Sequence, residues 1–293
     1  MTVPDGPSLT PRAQAAQDAR KQREATALRE NLRRRKQQAR SREESPGKAT
    51  IIGGPASPYV RKIMAICDLK GVAWRCDPII PFQGNEEFSR ISPLRRVPVF
   101  MDDQVTLADS TAIAEYLDER YPAPALFPIG PAARAQARWL EEFGDTRMGD
   151  VLLWRIFNEA VIKPGVWRQE RDEAAIAATL ADDLPGVMEY LETMAPADGF
   201  LFGGIAIADI SIAVHFANLS WARTDVDLGR WARTMAWVAR VEAVPEMARL
   251  IRLGEVALTT RGPDRARVFG ALGMEVTAET LAGSGYRRGP MSV

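Results

Sequence analysis

The chain has 293 residues, 46% of them hydrophobic and 26% charged, with a formal net charge of zero; this composition predicts a soluble globular protein large enough for two domains. No apolar run approaches the ~18 residues that span a bilayer, and the polar N-terminus lacks the apolar segment of a signal peptide, so we expect a cytoplasmic protein without membrane contact. The two cysteines, Cys67 and Cys76, lie in apolar segments, which argues against a disulfide framework or a zinc site, and we expect no metal.

The first segment, residues 1–48, is a basic arm. It holds twelve Lys and Arg against six Asp and Glu, so the rest of the chain is acidic. Its helix propensity is high, but Leu28 and Leu32 are almost its only large apolar residues, too few for a core. We expect a disordered or fraying helical arm that stays solvated. The alternative is a contact with nucleic acid or a protein partner, although no aromatic residue offers a stacking platform for bases.

Residues 49–122 alternate strands and helices. The stretch ATIIGG predicts a buried strand, and SPYVRKIMAICDLKG predicts a helix with one apolar face, because its apolar residues from Val60 to Cys67 recur at 3-and-4 spacing. A second strand (VAWRCDPII), a short helix (NEEFSRIS), two strands around an Asp-Asp turn (RVPVFMDDQVTL) and a helix (DSTAIAEYLDERYP) follow. This order predicts an α/β domain of about 75 residues.

After the proline-punctuated linker PAPALFPIGP the pattern becomes helical. We expect an all-α domain over residues 131–255. Its first helix is long, from AARAQ to NEAVI, and bent near Gly144 or Gly149. Residues 256–293 are rich in Gly, Arg and Thr, and we expect a C-terminal extension with a short helix around DRARVFGAL. The other helices of the all-α domain are predicted at residues 171–195, 206–222, 230–242 and 245–254.

Four motifs carry a family resemblance: SPYVRKIM after the first strand, PLRRVPVF, LADSTAIAEYLDERYP and FLFGGIAIADISIA. In this order and spacing, over about residues 49–255, they resemble the cytosolic glutathione S-transferase superfamily, in particular bacterial members of the serine type. The resemblance implies an α/β thioredoxin-like N-terminal domain that binds glutathione as a co-substrate, followed by an all-helical C-terminal domain. It also implies a homodimer.

By the resemblance, Ser57 is the catalytic residue. The reason why a hydroxyl at this position could activate a thiol can also be argued without the resemblance. A free thiol has a pKa near ~8.5, so little of it is the reactive thiolate at neutral pH. A helix N-terminus carries partial positive charge, and a hydroxyl there can donate a hydrogen bond to sulfur. Lowering the thiol pKa by about two units takes roughly 2.7 kcal/mol, which a charge-assisted hydrogen bond and the helix dipole can supply. The alternative is that Ser57 only caps its helix, with Pro58 at the first helical position.

The resemblance also places three residues and a loop around glutathione. A cis Val97–Pro98 bond would expose the N–H and C=O of Val97 to the cysteinyl backbone of glutathione; the alternative is an ordinary edge-strand proline. Arg96 stands where relatives often keep a lysine that meets the glycyl carboxylate, and the alternative is a solvated charge. Gln83 lies in the loop where relatives often contact the glycyl end.

Asp109 and Ser110 open a predicted helix, whose N-terminus suits an anion. Ser110 could hold the γ-glutamyl carboxylate of glutathione through its hydroxyl and N–H, and Asp109 could pair with the α-ammonium. Relatives often have Glu or Gln in place of Asp109, so this side chain is shorter than the family pattern. The alternative for both residues is plain helix capping.

The sequence gives the least information about the residues that would bind the electrophile. The long helix of the second domain supplies Trp139, Trp154 and Phe157 as candidates for an apolar pocket, although aromatic residues at helical spacing are commonly core. We interpret His215 as a satisfied core residue and Asp209 as structural, with an incomplete capping box because Ala206 lacks a hydroxyl. A single histidine argues against a Ser-His-Asp hydrolase.

Four functions fit this pattern. The first is a glutathione transferase that acts on a small electrophile, and isomerisation of a small acid is a variant of it. A thiol–disulfide oxidoreductase is disfavoured because relatives of that kind have cysteine where Ser57 stands, and serine cannot form a mixed disulfide. The non-enzymatic alternative is a catalytically inactive binding or regulatory protein whose basic arm meets nucleic acid or RNA polymerase.

Overall fold

The computed structural model describes residues 47–260, 262 and 264–289. The predicted basic arm therefore lies outside the described residues, apart from its last two. One compact unit begins at Lys48, and Lys48 itself belongs to it, because its ammonium donates to the carboxylate of Glu275. Within the described ranges, no helix is long and apolar enough to cross a membrane, and no group of His, Cys, Asp and Glu side chains could hold a metal ion.

The N-terminal part contains a mixed four-stranded sheet in the order β2-β1-β3-β4. Strand β1 (Ala49–Ile52) pairs in parallel with β2 (Trp74–Asp77) and antiparallel with β3 (Val99–Met101), which pairs antiparallel with β4 (Thr106–Leu107). This confirms the predicted α/β thioredoxin-like domain. Three helices complete it: α1 (Pro58–Leu69), α2 (Glu86–Ile91) and α3 (Ser110–Arg120).

Helix α1 differs from the sequence-based expectation in its burial. The 3-and-4 spacing predicted one apolar face, but nearly every residue from Pro58 to Cys67 is buried, including Arg61 and Lys62. The physical reason is that α1 packs against α3 of its own domain and also against two helices of the second domain. Its polar side chains therefore face a second layer of protein instead of water.

The second domain is helical, as predicted. The long first helix consists of two directly joined segments that meet at Gly144: α4 (Pro131–Phe143) and the π-type helix α5 (Gly144–Trp167). The backbone of Gly144 packs against Ser211 of a later helix. The single helix predicted over 171–195 is two helices, because Pro185 has no N–H and cannot continue the preceding helix. The helices are α4 (Pro131–Phe143), α5 (Gly144–Trp167), α6 (Glu173–Asp182), α7 (Leu184–Met194), α8 (Ile207–Trp221), α9 (Ala232–Glu242) and α10 (Pro245–Thr259).

Asp209 is a fully bonded structural residue in the first turn of α8. Its carboxylate accepts hydrogen bonds from the N–H of Ala206 at 2.9 Å, the N–H of Leu201 at 3.1 Å and the indole of Trp237 at 2.8 Å. Ala206 cannot return a side-chain hydrogen bond, so only one half of the capping box is present. The indole of Trp237 ties the start of α8 to α9 instead.

The C-terminal extension folds back onto the thioredoxin-like domain. The predicted short helix is α11 (Asp264–Ala271), whose Phe269 is fully buried. Beyond it, residues 274–287 follow the free edge of β2 and the loop after it. We call residues 274–287 the C-terminal strap.

Candidate functional site

Three connections converge at one end of the sheet. Strand β1 ends at Ile52, opposite Val99 near the start of β3, and β4 runs so that Leu107 lies opposite Phe100. The loop after β1 and the start of α3 after β4 therefore reach the same end of the sheet as Val97 and Pro98, which precede β3. The backbone of Gly53 packs so closely on Val97 that a Cβ built on this glycine would lie 2.8 Å from the Cβ of Val97. The segments that carry Ser57, Val97 and Ser110 thus meet at this end of the sheet.

Ser57 is the N-cap of α1 and is partly exposed. Its Oγ accepts a long hydrogen bond, 3.4 Å, from the N–H of Val60. A hydroxyl has one proton and two acceptor lone pairs, so this capping bond leaves the proton of Ser57 available to a ligand. No acidic residue stands in the first turn of α1, so no carboxylate offsets the positive end of the helix dipole. Capping and thiol binding are therefore compatible roles for Ser57.

The Val97–Pro98 peptide bond is cis, in agreement with the resemblance. Among residues 47–260, 262 and 264–289, neither the N–H nor the C=O of Val97 makes a hydrogen bond to another protein group. Both residues are buried, and Val97 packs against the glycine that follows β1.

The two arginines before Val97 have opposite surroundings. Arg95 is buried with a backbone φ of 51°, in the left-handed region that few residues other than glycine adopt. Its guanidinium donates to the carbonyl of Gly84 at 2.8 Å and to the hydroxyl of Ser89, and so fixes the loop between β2 and α2. Arg96 is exposed, which leaves its charge accessible from solvent beside Val97.

Asp109 and Ser110 begin α3 as predicted, but their side chains already have protein partners. The carboxylate of Asp109 caps the helix by accepting from the N–H of Ala112 at 2.9 Å, and this residue is exposed. Ser110 is buried, and its hydroxyl donates to Oδ2 of Asp145 at 3.1 Å. Asp145 lies in α5, so the serine that the resemblance gives to glutathione connects the two domains.

A buried charge cluster lies beneath this contact. Lys62 is fully buried, and its ammonium donates to Asp145 at 2.6 Å and to Glu141 at 3.0 Å. Burial lowers the pKa of Lys62, but the two carboxylates outweigh it and the net pKa is raised. Burial raises the pKa of Glu141, and Lys62 opposes that shift. The lysine therefore remains charged and forms ion pairs with both acids at the domain boundary.

Tyr59 and His215 form the apolar side of the same boundary. The hydroxyl of Tyr59 donates to the backbone carbonyl of Asp145 at 2.9 Å, which requires a glycine at Gly149, because a Cβ there would lie 2.4 Å from the tyrosine oxygen. Burial, followed by the charge of Asp145, raises the pKa of Tyr59. The ring of His215 meets Tyr59 edge-on, with the centroids 5.6 Å apart.

His215 is a core residue, as predicted, but it is not satisfied. Among the described residues, neither of its ring nitrogens has a hydrogen-bond partner. Burial first, and then the charges of Arg61 and Lys62, lower its pKa to about 3. The ring is therefore neutral at ordinary pH. It lies outside the candidate contacts to glutathione.

Arg61 braces the loop that carries Ser57. Its buried guanidinium donates to the carbonyl of Pro55 at 2.7 Å and to the side chain of Asn218 in α8, and it stacks 4.6 Å from the ring centroid of Trp221. Asn218 in turn donates to the carbonyl of Ala56 at 3.0 Å. Burial lowers the pKa of Arg61 to about 9, so the guanidinium stays charged near neutral pH. Both carbonyls that precede Ser57 are thus held by side chains from helices.

Gln83 lies in a short 3-10 turn, Pro81–Gln83, between β2 and α2. Its backbone carbonyl accepts from the N–H of Gly283 in the C-terminal strap. The side chain is partly exposed.

The structure does not bring the three predicted electrophile residues together. Trp139 is 56% exposed on α4 and donates its indole N–H to Tyr190, whereas Phe157 is buried in the helical core. Trp154 lines a cavity of about 460 Å³ between α5 and α6, and none of the candidate glutathione contacts lines this cavity. Its other lining residues are Arg155, Asn158, Glu159, Lys163, Gln169, Ala175, Thr179 and Arg288.

Sequence reasoning missed the polar residues that join the two domains. Arg61 and Lys62 occupy consecutive positions inside an apolar helical pattern, and this pairing was the available signal that α1 is covered on a second side. Asp145 follows the helix-breaking Gly144, but nothing in the local pattern indicates that it meets Ser110 from another domain. Tyr59 stands two residues after Ser57. The prediction that α1 buries a single apolar face gave no reason to expect Tyr59 at the domain boundary.

A family model described as the glutathione S-transferase N-terminal domain matches residues 51–125. That range contains the second half of β1, strands β2 to β4, helices α1 to α3 and every candidate glutathione contact.

Two curated relatives carry different names. A stringent starvation protein A homolog from Pasteurella multocida is 32% identical over 91 residues, which are 31% of this chain and 43% of that protein. A probable maleylacetoacetate isomerase from Vibrio cholerae is 29% identical over 166 residues, 57% of this chain and 75% of that protein. The chain thus spans less than half the length of the first relative and three quarters of the second.

A solved structure extends the likeness to both domains. The theta class glutathione S-transferase from Xanthomonas axonopodis pv. citri, crystallised with glutathione bound, matches with a TM-score of 0.60 and 27% identity. The match covers 74% of this chain and 99% of that one.

Proposed function

Because the chain belongs to the glutathione S-transferase superfamily, we propose that it binds reduced glutathione between Ser57, Val97 and Ser110 and activates the glutathione thiol for attack on a small electrophile. The convergence of these three segments at one end of the sheet is the observation that supports the proposal most. The bound glutathione of the Xanthomonas relative supports the choice of ligand.

Ser57 would stabilise the thiolate. The sulfur would approach the N-terminus of α1, where the Ser57 proton can be donated to it while Oγ still accepts from Val60. The helix dipole adds to this hydrogen bond, and no acidic side chain of the first turn opposes it. A charge-assisted hydrogen bond of this kind is about twice as strong as a neutral one, so the thiolate is favoured over the thiol.

The peptide part of glutathione would be held by backbone groups and by two exposed charges. The N–H and C=O of Val97, which make no hydrogen bond to the part of the chain that the structure describes, suit the cysteinyl backbone. The hydroxyl proton of Ser110 is committed to Asp145, so we assign the γ-glutamyl carboxylate to the N–H of Ser110 at the start of α3. The exposed carboxylate of Asp109 would meet the α-ammonium. Arg96 would meet the glycyl carboxylate, and Gln83 would contact the same end of glutathione.

The proposed reaction forms a bond between sulfur and an electrophilic carbon. The thiolate supplies the electron pair. Either a leaving group departs with its bonding electrons, or the sulfur adds to one carbon of an activated double bond and the other carbon takes up a proton from solvent. The protein contributes proximity and thiolate stabilisation. Isomerisation of a small unsaturated acid is a variant in which the sulfur adds and leaves again. The similarity to a probable maleylacetoacetate isomerase supports testing this variant first.

Calorimetric titration of reduced glutathione into the full-length protein tests the binding step. We expect a dissociation constant between micromolar and millimolar for the wild type. Arg96→Gln should weaken binding roughly tenfold, since a hydrogen bond to a charged group contributes about 1.5 kcal/mol or more. Arg90→Gln is the matched control, because Arg90 is also exposed but lies on α2 and is not one of the candidate glutathione contacts. A wild type without measurable binding would contradict the proposal.

Membership of this superfamily also supports a homodimer and a cytoplasmic location, which we propose on that basis alone. Light scattering on the full-length protein checks the first: a mass near twice that of one chain, 32.3 kDa, is expected.

A catalytically inactive regulatory protein is the second candidate. Two observations favour it: the match to a stringent starvation protein A homolog, and the engagement of the Ser110 hydroxyl by Asp145. This candidate predicts DNA binding that falls steeply with added salt and is lost when residues 1–47 are removed, because basic side chains release counterions from phosphates. Fluorescence anisotropy of labelled duplex DNA over a salt series measures both properties.

A further inference from the structure

The C-terminal strap is bonded to the edge strand of the thioredoxin-like sheet. The N–H of Cys76 donates to the carbonyl of Glu275 at 2.8 Å, and the N–H of Thr277 donates to the carbonyl of Cys76 at 2.9 Å. These two bonds make a parallel bridge between Cys76 and Val276. The strap therefore covers part of the otherwise unpaired edge of β2.

The strap also donates two hydrogen bonds to the side chain of Asp77. Asp77 is a buried residue, and its carboxylate accepts from the hydroxyl of Thr280 at 2.8 Å and from the N–H of Leu281 at 2.7 Å. Burial raises the pKa of Asp77, and the two hydrogen bonds from the strap oppose that shift. A buried carboxylate needs such donors, so the end of β2 depends on the strap.

The strap next fixes the loop that contains Gln83. Asn85 donates its N–H to the carbonyl of Leu281 at 2.8 Å, and Gly283 donates to the carbonyl of Gln83. Further along, the N–H of Arg287 donates to the carbonyl of Phe82 at 2.8 Å. The backbone on both sides of Gln83 is thus bonded to the strap.

These strap-bound segments touch the candidate site at two places. The carbonyl of Asp77 accepts from the N–H of Gly53 at 2.8 Å, and the carbonyl of Ile79 accepts from Gly54 at 2.7 Å. Gly53 and Gly54 open the loop that leads to Ser57. On the other side, the loop of Gln83 is joined by Arg95 to the segment that continues into Val97.

Ser89 links the strap to the second of these places. Its hydroxyl oxygen accepts from Arg287 of the strap at 2.6 Å and also from Arg95. Arg287 is further held by an ion pair with Glu86 at 2.9 Å. The strap therefore reaches both sides of the candidate site through no more than two hydrogen-bonded steps.

We propose that the C-terminal strap is a positioning element for the thiol-peptide site: through Asp77 it holds the loop of Ser57, and through the Gln83 loop and Ser89 it holds the segment before Val97. The inference rests on the proposed function for its ligand, glutathione, but its structural part does not. Asp77 and Thr280 are positioning residues, since they act through Gly53 and Gly54 and make no contact with the ligand.

Hydrogen–deuterium exchange on the full-length, unliganded protein tests the structural part. Thr280→Val removes the hydroxyl that donates to Asp77 at nearly constant volume, Thr280→Ser keeps it, and Asp77→Asn replaces one acceptor oxygen by a donor. Thr280 is exposed, so its variants are expected to fold. We expect the N–H groups of Gly53, Gly54 and Asn85 to exchange about tenfold faster in Thr280→Val and Asp77→Asn. Thr280→Ser should match the wild type, and the amides of α8 should not change in any variant.

Glutathione titration of the same variants tests the positioning part. We expect the dissociation constant to rise about tenfold in Thr280→Val and to return to the wild-type value in Thr280→Ser. Unchanged exchange at Gly53, Gly54 and Asn85 would overturn the proposal, and so would faster exchange with unchanged glutathione affinity. If the wild type binds no glutathione, the proposed function fails, and the exchange rates alone decide whether the strap holds these segments.

Discussion

At the residue scale, Lys62 is the buried cation that pairs with two acids at the domain boundary. Its ammonium is buried between Glu141 and Asp145, and removing one partner of a buried ion pair leaves an uncompensated charge. We predict that Lys62→Met lowers the free energy of unfolding by about 3 kcal/mol at pH 7, measured by urea denaturation. Lys163→Met is the matched control, because Lys163 pairs with Glu159 at the same 2.6 Å but is partly exposed; it should cost less than about 1 kcal/mol.

The pH dependence of the stability loss in Lys62→Met shows whether the loss comes from charge or from packing. Burial raises the pKa of Glu141 in the folded protein and Lys62 holds it down, so the variant carries a still higher pKa. A raised carboxyl pKa means that the folded state binds protons that the unfolded state does not, and stability then increases as pH falls. The deficit should therefore shrink between pH 7 and pH 5. A deficit that is constant over this range would assign the loss to packing instead.

The buried imidazole of His215 is expected to cause a separate pH dependence of the free energy of unfolding. Its pKa is about 3 in the folded protein and 6.5 at its ordinary value, so between these limits the unfolded state binds the extra proton and stability is lost as pH falls. We predict that His215→Leu removes about 2 kcal/mol of the wild type's loss between pH 6.5 and pH 4.5. Parallel stability curves for the two proteins, measured by denaturation across this range, would rule out a buried neutral imidazole.

At the element scale, the contact between α10 and the Ser57 loop depends on Gly254. A Cβ on Gly254 would lie 2.9 Å from the carbonyl of Pro55 and 2.2 Å from the ring of Trp221, so we predict that Gly254→Ala costs about 1–3 kcal/mol of stability by overpacking. In Gly186→Ala, on α7, the new Cβ meets nothing within 4 Å, and the better helix propensity of alanine should add up to about 1 kcal/mol. Thermal or urea denaturation of the pair measures both values, and equal effects would refute the close approach.

Element order was largely predictable, whereas the partners of the elements were not. The strands around Ile51 and Phe100 and the helix from Ser110 were predictable, because apolar periodicity and capping residues are local signals. The burial of Arg61 was not, since the covering helix lies about 150 residues later in the chain. The strap was also missed, because it is held by backbone hydrogen bonds and turns that leave no periodic pattern.

At the scale of the whole molecule, the candidate site lies within a unit that begins at Lys48. Every proposed glutathione contact falls between Ser57 and Ser110. The C-terminal strap, which is proposed to position these contacts, lies in the same unit. A glutathione-binding role therefore predicts that deleting residues 1–47 changes the dissociation constant by less than about twofold, measured by calorimetry beside the full chain. A large loss of affinity would mean that the basic arm contributes to the site.

The identity of the site residues was only partly predictable at this scale. The motifs around Ser57, Pro98 and Ser110 are short and local, so their positions could be assigned from sequence. The commitment of the Ser110 hydroxyl to Asp145 depends on how two domains pack, which no single motif encodes. Of the candidate pocket residues, Trp139 is exposed and Phe157 is buried, a difference that their shared helical spacing did not indicate.

The central claim is that Ser57 stabilises the thiolate of bound glutathione, and a pH titration of that thiol tests it most directly. Thiolate absorbance in the ultraviolet should give an apparent pKa about two units below the ~8.5 of a free thiol in the wild type. In Ser57→Ala it should return towards the free value with little change in affinity. Asp172→Ala removes a helix cap on α6 that also contributes about 1 kcal/mol, and should leave the thiol pKa unchanged. A bound thiol that titrates like free thiol in the wild type, or identically in Ser57→Ala, would contradict the account.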